Sequence, residues 1–245
     1  MKKKVYFYNK EGEKLVGVLH KPRKKTDTGI VVCHGFTGSK DRNFIPILAK
    51  RLSKNYNVLR FDFSGNGESE GKFEDQCYSK YVEELKNSID FMKKDNKKII
   101  VIGHSFGSNI IVLEYEKYNN INKIITLAPG FFLERKRVLN LVLGFIISSI
   151  KGKENFIDGW GEKRSLKIRF FLERIKYNIK NAIKKINVPL LIILAGDDRA
   201  INNKKSKRFF KNNGINYTEI INARHGFGKE KYLNHITKEI LKWLK

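Results

Sequence analysis

The sequence predicts an α/β protein: a mostly parallel central sheet with an antiparallel hairpin at its N-terminus, helices on both faces and a helical cap inserted in the second half. Three observations carry that expectation. Short apolar runs alternate with amphipathic stretches along most of the chain. The runs at 29–33 and 98–102 are β-branched and nearly unbroken, as strands covered on both faces are. Between about 131 and 186 the alternation stops, and no convincing strand is found there.

The elements follow in order. Residues 5–9 and 15–20 flank Glu11-Gly12-Glu13 and read as a hairpin. Residues 29–33 form a buried strand, 45–55 a helix and 58–61 a strand. The stretch 78–94 places Tyr78, Tyr81, Val82, Leu85, Ile89 and Met92 on one helical stripe. A strand at 98–102, a helix at 106–118 and a strand at 121–127 follow, the last closed by Ala128-Pro129-Gly130. The final alternation is a strand at 189–194, a helix at 204–212, a strand at 217–221 and a helix at 229–244. Segment 131–186 is basic and rich in large aromatics, Phe145, Phe156, Trp160 and Phe170 among them. The expected organisation is a core of 1–130 and 187–245 carrying a helical cap, or lid, of 131–186.

Composition narrows the class. A chain of 245 residues holds one large domain, or a core with an insertion, and buries a real apolar interior. Hydrophobic residues at 41% and aromatics at 12% exclude a disordered chain. Two cysteines exclude a disulfide scaffold and a multi-cysteine metal knuckle. Lys and Arg number 50 against 25 acids, a net charge of +25 that attracts polyanions. The basic runs are scattered, however, and Lys, Asn and Ile are used heavily throughout, so composition accounts for the excess better than a dedicated nucleic-acid surface. The apolar stretch after Met1-Lys2-Lys3-Lys4 is too short for a secretory signal. The most apolar window, 138–150, is too short to span a bilayer and is expected as a buried or interfacial helix. These points imply cytoplasmic residence, free thiols at both cysteines, and a monomer or homodimer, with peripheral membrane contact left open.

The sharpest motif is Gly103-His104-Ser105-Phe106-Gly107, between a strand and a helix. That context is a nucleophile elbow: the glycines permit the sharp turn, and the serine stands exposed at its tip. A serine hydroxyl needs a base, itself oriented by a third group. In chain order the acid and then the histidine follow the serine. Of five histidines, His20, His34 and His104 come too early and His235 falls inside the last predicted helix. His225 lies in the loop between the last strand and the last helix and is the expected base. The loop after 189–194 offers Asp197 and Asp198. Asp198 is preferred, because Ile201 three residues on tucks that loop down; Asp197 is the alternative. Oxyanion donors are expected from the backbone N–H of Phe106, which follows the serine, and of Phe36, in the His34–Gly38 loop after the early strand. No cluster has metal-ligand spacing and no phosphate loop matches its pattern, so neither metal nor cofactor is expected.

His-Gly-Phe-Thr-Gly (34–38), Arg-Phe-Asp-Phe-Ser-Gly-Asn-Gly-Glu-Ser-Glu-Gly-Lys-Phe (60–73), Gly-His-Ser-Phe-Gly (103–107), Gly-Asp-Asp (196–198) and His-Gly-Phe (225–227) resemble, in order and spacing, the α/β-hydrolase-fold serine hydrolases. The 60–73 stretch is especially similar to small bacterial cinnamoyl or feruloyl esterases and to related acylglycerol lipases and serine aminopeptidase-like hydrolases. The likeness covers all but the cap. It departs from the cinnamoyl esterases at Phe106 and Ser108, where Gln and Gly are usual, and at Arg224 before the histidine. The resemblance implies that Ser105, His225 and Asp198 are catalytic, that Asp62 ties down backbone beneath the oxyanion loop, and that the substrate is a small hydrophobic ester cleaved through an acyl-enzyme. Thioesterase, acylglycerol lipase and aminopeptidase or amidase activity use the same residues. A basic polyanion-binding protein on a hydrolase scaffold is the alternative of another class.

Overall fold

The computed structural model describes residues 1–245. Strands β1 (Lys2–Tyr8) and β2 (Lys14–His20) form the N-terminal hairpin, paired from Lys2 with His20 to Tyr8 with Lys14. They lead into β3 (Thr28–Cys33), α1 (Ile45–Leu52), β4 (Asn57–Phe61), α2 (Tyr78–Lys93), β5 (Lys98–His104), α3 (Phe106–Tyr118) and β6 (Lys123–Leu127). After an insertion come β9 (Leu190–Ala195), α7 (Asn203–Asn212), β10 (Thr218–Ile220) and α8 (Glu230–Leu244). The eight strands of the main sheet run in the order β1-β2-β4-β3-β5-β6-β9-β10. Only β2 breaks the parallel run, pairing antiparallel with both β1 and β4.

Strand alternation divides two cores. Val31 and Cys33 of β3, with Ile99 and Val101 of β5, face α2 and α3. Ile30 and Val32, with Ile100 and Ile102, face α1 and α8. Helices therefore cover both faces, which is why the central strands carry no polar side. α3 is buried along Phe106–Tyr115, so its amphipathic signal is weak although its position is central. The fold is that of the α/β hydrolases, as the order of motifs implied.

The insertion holds α4 (Arg135–Lys151), β7 (Lys153–Ile157), β8 (Lys163–Lys167), α5 (Ile168–Lys176) and α6 (Ile179–Lys184). Two expectations for it change. It is not free of strands, since β7 and β8 form an antiparallel hairpin pairing Phe156 with Arg164 and Glu154 with Leu166. Half of its strand residues are charged and little beyond Phe156 and Leu166 is apolar and turned inward, so the strands lack a readable apolar period. Nor is the helix of the apolar window 138–150 buried, the first of its two expected alternatives. Only Gly144 and Ser148 of α4 are buried, while Val138, Leu139, Val142, Leu143, Ile146, Ile147 and Ile150 are exposed. Elsewhere the differences lie at ends: the first core helix stops at Leu52, and the chain turns through 53–55.

Candidate active site

Ser105 sits between β5 and α3 with φ +53°, a left-handed backbone that a non-glycine residue rarely holds. The flanking glycines are sterically required. A Cβ at Gly107 would lie 2.6 Å from the His34 carbonyl oxygen, and one at Gly103 2.5 Å from Ile111 Cδ1. At Gly107 the turn therefore packs directly on the end of β3 and the loop after it, and at Gly103 on the first turns of α3, and these two close approaches fix the glycines of Gly-x-Ser-x-Gly.

Three side chains from three loops meet here. The Ser105 hydroxyl donates to His225 Nε2 at 2.8 Å. His225 Nδ1–H donates to Asp198 Oδ2 at 2.7 Å. Asp198 is fully buried, and its other oxygen accepts the N–H groups of Ala200 and Ile201 at 2.8 and 3.0 Å. Ile201 is itself buried and pairs across to Leu133. The neighbouring Asp197 is 48% exposed and faces Arg224 at 3.7 Å and Arg199 at 4.0 Å, so the structure does not bring it to His225. Arg224, unusual before such a histidine, points to that surface pair.

The backbone donors sit beside the serine. Phe106 opens α3, so its N–H lies ahead of the helix's hydrogen-bond ladder. The Phe36 N–H has no backbone acceptor in the His34–Gly38 loop, whose own turn is closed by Gly38 N–H to Gly35 O at 3.0 Å. Both residues line the same cavity as Ser105 and His225.

Among the groups around the three side chains, His104 and His34 carry no signal readable in the sequence. His104 Nε2–H donates to the His225 carbonyl at 2.9 Å and anchors the histidine loop across the sheet. Burial, and next the neighbouring His225 ring, push the His104 pKa down to about 3, so it is neutral in use. His34 donates from Nδ1 to the Gly35 carbonyl and accepts the Phe63 N–H at Nε2, which fixes its tautomer; burial lowers its pKa. Asp62 is fully buried and accepts the backbone N–H groups of Lys40 and Glu68, as the resemblance implied. It also holds the buried Lys40 ammonium at 2.9 Å, an ion pair that pins the 34–40 loop from below. His104 and His34 fail the chain-order test for a base, and only the fold reveals their use.

The cavity over Ser105 measures about 640 Å³. Aromatic rings dominate one side. Phe36 lies 5.7 Å from Phe106, 5.6 Å from Phe170 and, stacked, 6.2 Å from Phe156, while Tyr78 lies 5.1 Å from Phe106. Leu141, Leu143 and Ile147 of α4 also line the cavity, with Arg137 and Arg174. Glu154 is the only carboxylate in the lining, and burial raises its pKa.

An α/β-hydrolase sheet with a serine at the strand–helix turn defines the class. The family model described as serine aminopeptidase, S33 (Hydrolase_4) matches residues 24–155, more than half the chain, and the chain belongs to that family. A Mycoplasma pneumoniae protein named "Putative esterase/lipase 2" is 28% identical over 165 residues, which cover 65% of this chain and 59% of that protein. The chain thus spans less than two thirds of that relative's length. Est1E of Butyrivibrio proteoclasticus, solved with ferulic acid bound, superposes with a TM-score of 0.79 at 22% identity, covering 98% of this chain and 97% of that one. An esterase of Pyrococcus furiosus gives 0.73 at 20% identity over 100% and 90%. At these identities the two structures establish the shared fold.

Proposed function

We propose that this protein is a serine hydrolase that cleaves carboxylic esters through an acyl-enzyme. The observation that carries the reading is the hydrogen-bonded chain Ser105–His225–Asp198 beneath an aromatic cavity. Ser105 Oγ attacks the ester carbonyl carbon as its proton passes to His225 Nε2. The N–H groups of Phe36 and Phe106 hold the oxyanion, each worth roughly 3 kcal/mol in the transition state. Collapse breaks the ester C–O bond, and His225 returns the proton to the leaving alcohol. Water then attacks the acyl-serine with His225 again as base, and the carboxylic acid leaves. Asp198 holds the imidazole tautomer and stabilises the imidazolium.

We read 131–186 as the cap that shapes specificity, since α4, β7, β8 and α5 all contribute to the cavity. Its aromatic and aliphatic lining suits a hydrophobic acyl or alcohol group of modest size. The family's name raises peptide substrates as a second reading. Arg137 and Arg174 weigh against it, because a substrate ammonium would enter a cavity with two cations and one partly buried carboxylate.

The deciding experiment compares p-nitrophenyl esters of increasing acyl length and methyl ferulate with aminoacyl p-nitroanilides. Ester turnover that vanishes in Ser105→Ala supports the proposal. Serine-dependent turnover of the anilides alone would move the assignment to amide cleavage. Inactivity on all of them, with polyanion binding that collapses as salt rises, would favour the binding-protein alternative.

A further inference from the structure

α4 separates two cavities. Its Leu143 and Ile147 side faces Ser105, while its Val138, Val142 and Phe145 side faces a groove of about 750 Å³, within the ~300–1,000 Å³ usual for small-ligand sites. Its apolar lining combines phenylalanines, Phe132, Phe145 and Phe209 among them, with aliphatic side chains such as Val138, Val142 and Ile175. Arg174, Lys180, Lys205 and Arg208 also line it, from α5, α6 and α7. No carboxylate does.

Those four cations are unpaired, like Lys176, Lys184, Lys204 and Lys211 on the same helices, and what sets them apart is that they line one apolar groove. Arg169 on α5 bonds Glu173, Lys207 on α7 bonds Glu219, and Lys185 just after α6 bonds Glu116. Lys180 finds only the face of Phe132, 5.2 Å away. In a chain with 25 acids, four cations converge on an apolar groove and none meets a counter-charge. Like charges held together repel unless an anion joins them.

We infer that this groove is a binding site for a single-chain amphiphile with an anionic head, the chemistry shared by fatty-acid anions and alkyl phosphates. The alkyl tail removes the phenylalanine and valine surface from water. The head neutralises the four cations. A second copy of this chain fits less well, because a two-fold contact would set the same cations against each other. A nucleic acid would leave the apolar lining unused. Leu133, Leu141, Phe171 and Arg174 line both cavities, so an occupant of the groove touches the wall of the cavity over Ser105. Its recognition chemistry is independent of the reaction proposed above.

Titration calorimetry of the full chain tests this with decanoate, decyl phosphate and decanol, each below its aggregation concentration, and with anionic vesicles. The expected result is saturable binding of either anion or both, the head preference telling carboxylate from phosphate, and weak uptake of decanol. The double substitution Lys205→Gln/Arg208→Gln should weaken anion binding roughly tenfold. Val142→Trp, at a half-exposed position facing only the groove, should abolish it, and Leu143→Trp, facing only the other cavity, should not. Failure of both anions to bind overturns the assignment. So does equal binding of decanol, which makes charge irrelevant. Loss of binding in Leu143→Trp but not Val142→Trp would place the ligand over Ser105. Vesicle binding without uptake of either monomer would make this face a membrane contact, not an amphiphile site.

Discussion

Asp197 and Asp198 are adjacent in sequence and opposite in circumstance. Asp198 is buried and triply bonded by His225, Ala200 and Ile201, whereas Asp197 lies half-exposed between two arginines. Asp198→Asn should therefore lower kcat by about 10⁴-fold through loss of the correct imidazole tautomer. Asp197→Asn should change it less than about threefold, as expected for a screened surface pair; steady-state ester kinetics checks both. The sequence alone favours Asp198 and keeps Asp197 as the alternative, without deciding the choice. It rests on which carboxylate turns inward, and only the Ile201 anchor hinted at that. Ser105 and His225 were legible because a strand–turn–helix glycine pattern and chain order constrain them. His104 was not, because its partner is a backbone carbonyl more than a hundred residues away. His104→Phe keeps the ring contacts with Phe44 but removes that donor. It should cost about 1 kcal/mol of stability and lower kcat more than it raises KM, since His225 would lose its fixed height over Ser105. Thermal melts and a kcat/KM split separate the two effects.

Among elements, the insertion was the least legible part and is the least conventionally packed. α4 was recognisable as a helix, yet its partners were not, because its apolar residues lie nearly all round and only one narrow seam meets the protein. The seam is specific: a Cβ on Gly144 would lie 2.8 Å from the Phe171 ring, so α4 rides directly on α5. Phe171 is buried and closes the wall between the two cavities. Phe171→Ala should destabilise the chain by about 3–5 kcal/mol, the usual range for a buried ring truncated to Ala. Ile150→Gln, at a site 78% exposed, should move it by no more than about 0.5 kcal/mol. Urea titrations of the two variants distinguish a packed insertion from a loosely attached one. Comparable small losses for both would mean that α4 and α5 are held by something other than this contact.

For the molecule as a whole, the excess of cations is spread over the surface, and the internal charges set its response to pH. Two carboxylates are buried under the α2–α3 layer. Glu114 has neither oxygen paired, and burial lifts its pKa to about 8. Burial likewise lifts Glu84 to about 7, although it accepts from Ser64 and Asn9. Both groups hold a proton in the folded state that they release more readily when unfolded, near 4.5. The folded state therefore binds more protons between pH 4.5 and about 8, so stability falls as pH rises through that window. The contribution is complete below 4.5 and lost above about 8. His104 acts in the opposite sense and lower down: its folded pKa of about 3 lies below the ordinary 6.5, so its neutral burial is favourable above 6.5 and is lost as pH falls toward 3. Above pH 6.5 the glutamates act without that opposition. Glu114→Gln keeps the volume and removes one of the two titrations. It should flatten the decline in urea midpoint from about pH 4.5 to 8 relative to the unsubstituted chain, most plainly above 6.5 where His104 does not oppose it, while leaving the range below 4.5 unchanged. An identical slope in both proteins would mean that Glu114 is ionised or hydrated where it lies, and that the buried α3 surface is more open to water than its packing indicates.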